Sequence, residues 1–156
     1  MRMSEGVEWA VHCCLNLAWT GAEHAVSAAR LAAYYELPSA YLNKQLQALA
    51  RDGIVASTPG PRGGFRLARA PESITLLDVV TAIEGPRPAF RCAEIRRRGP
   101  GADPADETRC AVDQAMGQAD LAWRRELAGR TLGDVMAGVE RTAPAVPERV
   151  HRWFTT

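Results

Sequence analysis

A chain of 156 residues with 47% hydrophobic and 24% charged side chains is long enough to bury one core, or one core with an extension, and it lacks the ~18 uninterrupted apolar residues of a membrane span. Nineteen Lys and Arg against eighteen Asp and Glu leave a net charge of +1, so any nucleic-acid affinity must come from the distribution of charge and not from its total. No long apolar run with a small-residue cleavage site opens the sequence, so the cytoplasm is the expected compartment, with no membrane partner, and the four cysteines are expected as thiols or ligands.

The first stretch, Ser4 to Cys14, reads as a helix with Val7, Val11, Cys14, Leu15 and Ala18 on one apolar stripe. Glu8 and His12 fall one residue further round, one helical turn apart, where a carboxylate and an imidazole either bond to each other on a solvated face or grip a metal together. Cys13 and Cys14 point about 100° apart on the same helix and read as packing residues. After a turn, Ser27 is an N-cap for a short helix through Tyr35. Leu37-Pro38-Ser39 breaks the chain, and Ser39 is expected to cap a second helix with Leu42, Leu46 and Leu49 on its inner side before Gly53 ends it. Two short helices across a tight turn form the helix-turn-helix pattern. The outer face of the second helix presents Ala40, Asn43, Lys44, Gln47 and Arg51, side chains that fit base edges in a major groove and equally fit a plain solvated face.

The next segment tips that balance. Ile54 to Thr58 and Phe65 to Leu67 are β-prone runs joined by PGPRGG, a hairpin with Arg62 at its tip and Arg66 and Arg69 on its return strand. Helix, turn, helix and basic wing make a winged helix-turn-helix, whose wing adds affinity and register on the sugar-phosphate backbone. Thr75 to Asp78 resembles a capping-box start for a helix to Glu84, with Leu76, Val79, Val80 and Ile83 turned to the core. Residues 86–109 are irregular, and a connection of more than about 15 residues in a small chain usually has a functional or disordered reading. Cys92 and Cys110 bracket it where a small hydrophobe has little to pack against. From Cys110 a long helix carries Val112, Ala115, Met116, Ala119, Ala122 and Trp123 at helical spacing, and a symmetric dimer interface is its natural partner. Thr131 caps a further short helix to Arg141. A Pro-rich tail follows, with Trp153 and Phe154 expected to dock on something apolar. The expected fold class is therefore mainly α with a small β-hairpin, divided as a winged helix-turn-helix (1–85), a loop (86–109), a dimerisation helix with a following short helix (110–141) and a C-terminal tail (142–156).

VSAARLA, SAYLNKQLQAL, the glycine wing PGPRGGFRLAR and ITLLDVVTAIEGP, followed by a cysteine-bearing loop and a long helix, together resemble the winged-helix iron-sulfur regulators of the IscR and NsrR type over residues 1 to 140. The loop departs from that family's usual pattern, which supplies three closely spaced cysteines, because only Cys92 and Cys110 are present. GVEWA-HCC, ITLLDVV and PAF-C-EIR-RGP resemble a redox-regulator branch in which a glutamate and a histidine of the partner subunit complete the set. That resemblance implies one [2Fe-2S] cluster per subunit, with metal ligands Glu8, His12, Cys92 and Cys110 shared between subunits; Trp9, next to Glu8, is then placed to change position with cluster state. It also implies a homodimer on a double-stranded DNA operator, with Ser39, Tyr41, Asn43, Lys44, Gln47, Arg51, Arg62 and Arg66 at the DNA.

The expectation is a redox-sensing transcription regulator that is not an enzyme and takes no small-molecule substrate. A cluster-free or zinc-bound member of the same type would use the same residues, since Cys, Cys, His and Glu also satisfy tetrahedral zinc. A small electron-transfer protein would have no need of a basic wing. A hydrolytic metalloenzyme would need an open-site motif and a spare general base.

Overall fold

The computed structural model describes residues 3–103 and 105–156. Helix α1 (Glu5–Thr20) leads to α2 (Ala28–Tyr34) and α3 (Ser39–Arg51); an antiparallel hairpin of β1 (Val55–Thr58) and β2 (Gly64–Leu67) follows, then α4 (Leu76–Glu84), α5 (Ala111–Ala128), α6 (Leu132–Thr142) and α7 (Val146–Thr155). Single 3-10 turns lie at Pro71–Ser73 and Ile95–Arg97.

Side-chain caps set the starts of α2, α4 and α6. The Ser27 hydroxyl accepts the Arg30 N–H at 3.2 Å. Thr75 and Thr131 each form a reciprocal capping box, with Asp78 and Asp134 respectively, satisfying N–H groups that a helix otherwise leaves without partners. Helix α3 differs from expectation by one residue: Pro38 is the N-cap and Ser39 the first helical residue, because the fixed φ of Pro38 already directs the chain into the turn and no side-chain cap is made.

Helix α1 is the hub. Its stripe is wider than the spacing suggests: Ala10, Cys13 and Leu17 are buried with Val7, Cys14 and Leu15, whereas Val11 and Ala18 are half-buried. The reason is that α3, α4, α6, α7 and β2 all pack around it. Leu31, Leu42, Leu46, Leu49, Ile54, Ile74, Val79 and Leu132 fill the space between these elements, each fully buried leucine contributing about 1.5–3 kcal/mol. Cys13 and Cys14 belong to this core; burial pushes the Cys13 thiol up to about 12 and Cys14 further in the same direction, so both stay protonated and unreactive.

The C-terminal segment expected as a tail is helix α7, with Pro147 in its first turn, where proline needs no N–H partner. Val150 and Phe154 are buried against α1, while Trp153 is 40% exposed. Arg30 holds the end of α7, donating to the carbonyls of Trp153 at 2.7 Å and Phe154 at 3.2 Å with its guanidinium over the Trp153 ring.

Helix α5 has the opposite character. None of its 18 residues is buried, and Val112 and Leu121 are 60% and 53% exposed. It leans on α4 through one edge.

Candidate nucleic-acid interface and metal centre

The outer face of α3 carries Ser39, Ala40, Tyr41, Asn43, Lys44, Gln47 and Arg51, all exposed, while Leu42, Gln45, Leu46 and Leu49 point inward. The wing stands beside it. Its register pairs Val55 with Leu67 and Thr58 with Gly64, which places Arg62 at the tip and Arg66 on the return strand, both exposed. Two glycines make this hairpin possible. A Cβ at Gly63 would sit 2.0 Å from the Thr58 carbonyl, and one at Gly64, where φ is 154°, would sit 2.4 Å from the Val26 backbone; the latter approach lets Val26 and Phe65 exchange backbone hydrogen bonds of 2.8 Å, locking the wing to the start of α2. Among the described residues Lys44, Arg51, Arg62 and Arg66 form no ion pair, so four cations of one surface are available to phosphates. Arg69 is not among them: it turns back to Asp78 at 3.4 Å and to the Ser73 carbonyl, fixing the connector before α4.

Glu8 and His12 are exposed on α1 and, with Trp9, Tyr35 and Leu37, line a cleft of about 280 Å³. They make no hydrogen bond to each other among the described residues. Both neighbours lead into the helix-turn-helix. The Trp9 ring stands edge-on to Tyr41 of α3 at 5.1 Å, and His12 stands edge-on to Tyr35 at 5.6 Å. Tyr35 closes α2 and donates its hydroxyl to the Asn16 carbonyl oxygen of the buried Asn16 side chain at 3.2 Å; burial pushes its phenol up to about 12. Gly6 lets α1 lie close to α3, since a Cβ there would stand 3.0 Å from the Gln45 side chain.

Cys92 and Cys110, 18 positions apart in sequence, lie close enough for each thiol to perturb the other, and the Cys92 thiol also donates to the Glu94 carboxylate at 3.8 Å. Two arginines fold the loop that brings them together. Arg124 pairs with Asp120 at 2.8 Å and donates to the carbonyls of Pro86 and Arg87, each at 3.1 Å, while Asp120 also takes the Ala89 N–H. Arg96 reaches Glu94 at 3.2 Å, Asp106 at 2.7 Å and the hydroxyl and carbonyl of Thr108, tying the segment after Cys92 to the segment before Cys110. Cys110 is the N-cap of α5. The Asp113 N–H, then the Val112 N–H and the Cys92 thiol, hold its thiol below the usual range, helped by Arg96, as expected at a helix N-terminus. The Glu94 N–H pulls the Cys92 thiol down, but desolvation and the neighbouring Cys110 outweigh it and leave it raised.

The four residues expected as ligands therefore form two pairs, and the described residues contain no group of three or more His, Cys, Asp and Glu side chains gathered for a metal. The donor chemistry nevertheless fits an iron-sulfur group: two neighbouring half-buried thiols, the Cys110 one held below its usual range, and an exposed imidazole and carboxylate one turn apart. Sequence reasoning missed Tyr35, Asn16 and Arg96, whose roles arise from tertiary contacts. No helix among the described residues is long and apolar enough to cross a membrane.

Comparison with known proteins agrees with this geometry. Residues 3–138 match the family model Rrf2, described as an iron-dependent transcriptional regulator. The helix-turn-helix-type transcriptional regulator Rv1287 of Mycobacterium tuberculosis is 33% identical over 150 residues, which cover 96% of this chain and 86% of that protein. Among solved structures, CymR, the global cysteine regulator of B. subtilis, superposes with a TM-score of 0.69 at 23% identity, covering 88% of this chain and 97% of CymR. IscR of T. potens superposes with a TM-score of 0.69 at 22% identity, covering 92% and 91%. Both share the winged-helix fold. The relatives are transcriptional regulators and not enzymes.

Proposed function

The chain belongs to the Rrf2 family of DNA-binding transcriptional regulators, and from that premise we propose that it works as a homodimeric redox sensor whose [2Fe-2S] cluster is held by Cys92 and Cys110 of one subunit with Glu8 and His12 of the partner subunit. The single observation carrying this reading is that the loop brings two thiols near each other at the start of a helix whose Val112, Met116 and Leu121 are exposed among the described residues. Val112, Met116 and Leu121 of α5 then find their partner in a second copy. A ligand set split between subunits makes each cluster a joint of the dimer.

When bound, the cluster supplies a one-electron change whose potential is set by mixed thiolate, imidazole and carboxylate ligation. The chain's own residues carry the consequence. Glu8 and His12 are rigidly held on α1, so a shift at either is felt by its neighbours: Trp9 presses on Tyr41 at the start of α3, and His12 presses on Tyr35 at the end of α2. These contacts bias the tilt of the recognition helix. On DNA, Asn43, Lys44 and Gln47 of α3 face base edges, Ser39 and Tyr41 approach the strand at its N-terminal end, and Arg51, Arg62 and Arg66 meet phosphates. A two-fold dimer places the two recognition helices on half-sites about one DNA turn apart, or a multiple of it.

The test is purification without oxygen, followed by the visible spectrum, iron and sulfide content, and operator binding before and after dithionite. A coloured protein with about two irons and two sulfides per chain, and binding that changes on reduction, is the expected outcome. A colourless protein whose binding ignores dithionite overturns the sensor; if that protein contains zinc, the same four residues serve a structural ion. An unchanged fluorescence environment of Trp9 between oxidised and reduced forms removes Trp9 from the relay.

A further inference from the structure

The same loop sets its two cysteines near each other, with Arg96 clamping Glu94 to Thr108 between them. We propose that Cys92 and Cys110 are also a metal-independent dithiol switch, closed in the apoprotein by a peroxide into an intrachain disulfide that shuts out iron. The proposal uses the same cysteines as the cluster reading but stands whether or not a cluster is ever bound.

Three observations carry it. First, Arg96 draws together Glu94 and Thr108, each two residues from a cysteine, and the Cys92 sulfur, fixed by the Glu94 N–H at 3.4 Å, lies near enough to Cys110 for the two thiols to perturb each other. Second, both are half-exposed, so a small oxidant reaches them, whereas Cys13 and Cys14 are sealed in the core. Third, the pair owes its proximity to Arg96, whose side chain closes the loop through Glu94, Asp106 and both the hydroxyl and the carbonyl of Thr108. Proximity of this kind turns the second step of disulfide formation into a fast intramolecular one.

The chemistry balances with peroxide as the oxidant. One sulfur, after losing its proton, attacks a peroxide oxygen; the O–O bond breaks, the leaving hydroxide takes up the proton as water, and the sulfur becomes a sulfenic acid. The other thiol attacks that sulfur; the S–S bond forms, the S–O bond breaks, and a second water leaves. Two thiols are oxidised by two electrons, and one peroxide is reduced to two waters. A thiol reductant reverses the change. The oxidised loop has no thiolate to offer, so peroxide and loss of iron converge on a state distinct from the reduced apoprotein.

The experiment uses full-length protein stripped of metal under a reductant, desalted, and treated with one equivalent of hydrogen peroxide. Intact mass falling by about 2 Da, a peptide cross-link joining Cys92 to Cys110, and reversal by dithiothreitol are expected. Cross-linked dimers on a non-reducing gel, stable oxygen adducts in place of the cross-link, or thiols that remain free overturn the proposal. C92S should leave Cys110 oxidised but uncrosslinked, and a disulfide to Cys13 or Cys14 in that variant counts against the sealed core. Arg96→Ala should slow closure about tenfold or more with an unchanged far-UV spectrum, and an unchanged rate overturns its positioning role. Because no iron is present, failure here leaves the cluster reading intact, and a protein that never binds iron still gives the disulfide.

Discussion

The winged region and the arm formed by residues 86–128 are built on opposite principles. Around α1 every element buries leucines, valines and isoleucines against its neighbours, and polar side chains serve mainly to end helices. In the arm, no residue of the 18-residue helix α5 is buried, and the loop is held by Arg96 and Arg124 bridging carboxylates and carbonyls. On the proposed function, the arm awaits a second subunit and a ligand for its thiols.

Substitutions should separate the two. Leu46→Ala, in the fully buried centre of α3, should cost about 2–5 kcal/mol in denaturant unfolding; a cost below 1 kcal/mol would mean the core is not where the stability lies. Met116→Glu with Leu121→Glu should leave the fold of the winged region intact by circular dichroism yet weaken the dimer about a hundredfold in sedimentation, equal to about 2.7 kcal/mol. Dimers of unchanged affinity would show that α5 is covered by something else. Arg66→Gln should weaken operator binding about uniformly across sequences and lower the salt dependence by about one charge, whereas Asn43→Ala should relax sequence choice and leave the salt slope alone. The smallest effect concerns acid. The Thr131 N–H and hydroxyl hold the Asp134 carboxyl below the usual range; a carboxylate depressed in the folded state gives stability that is full above its unfolded value of about 4 and is lost as pH falls through the folded value. Asp134→Asn should therefore flatten the decline of Tm below about pH 4, and a decline as steep as the wild type's would remove this cap from the acid response.

The same contrast explains how far the sequence could be read. The winged region announces itself through local rules: Ser27, Thr75 and Thr131 as caps, leucines four and three apart in α3, and a glycine wing whose Gly63 and Gly64 admit no Cβ. Glu8 and His12 were legible as one face, and Cys92 and Cys110 as cysteines without a core. Helix α7 was obscured by Pro144 and Pro147, although Val146, Val150 and Phe154 recur at helical spacing and Pro147 sits where a helix tolerates it. Nothing local distinguishes Arg96 from Arg97 and Arg98 as the loop's clamp, because its partners lie 10 and 12 residues away. Tyr35 likewise becomes a link only when α1 brings Asn16 and His12 beside it. The Arg69 side chain, read as part of the wing's charge, was claimed by Asp78 through the tertiary fold.

The sharing of ligands between subunits is tested most directly by mixing two defective chains, Cys92→Ser with Cys110→Ser, and Glu8→Ala with His12→Ala. Each alone should be unable to hold a cluster. After subunit exchange and anaerobic reconstitution, half of the dimers are mixed, and each mixed dimer has one complete site made of one chain's cysteines and the other's glutamate and histidine, so about a quarter of the wild-type cluster content should return. A mixture as colourless as its components, or a cluster held by the Glu8→Ala, His12→Ala chain on its own, would contradict ligation across the dimer.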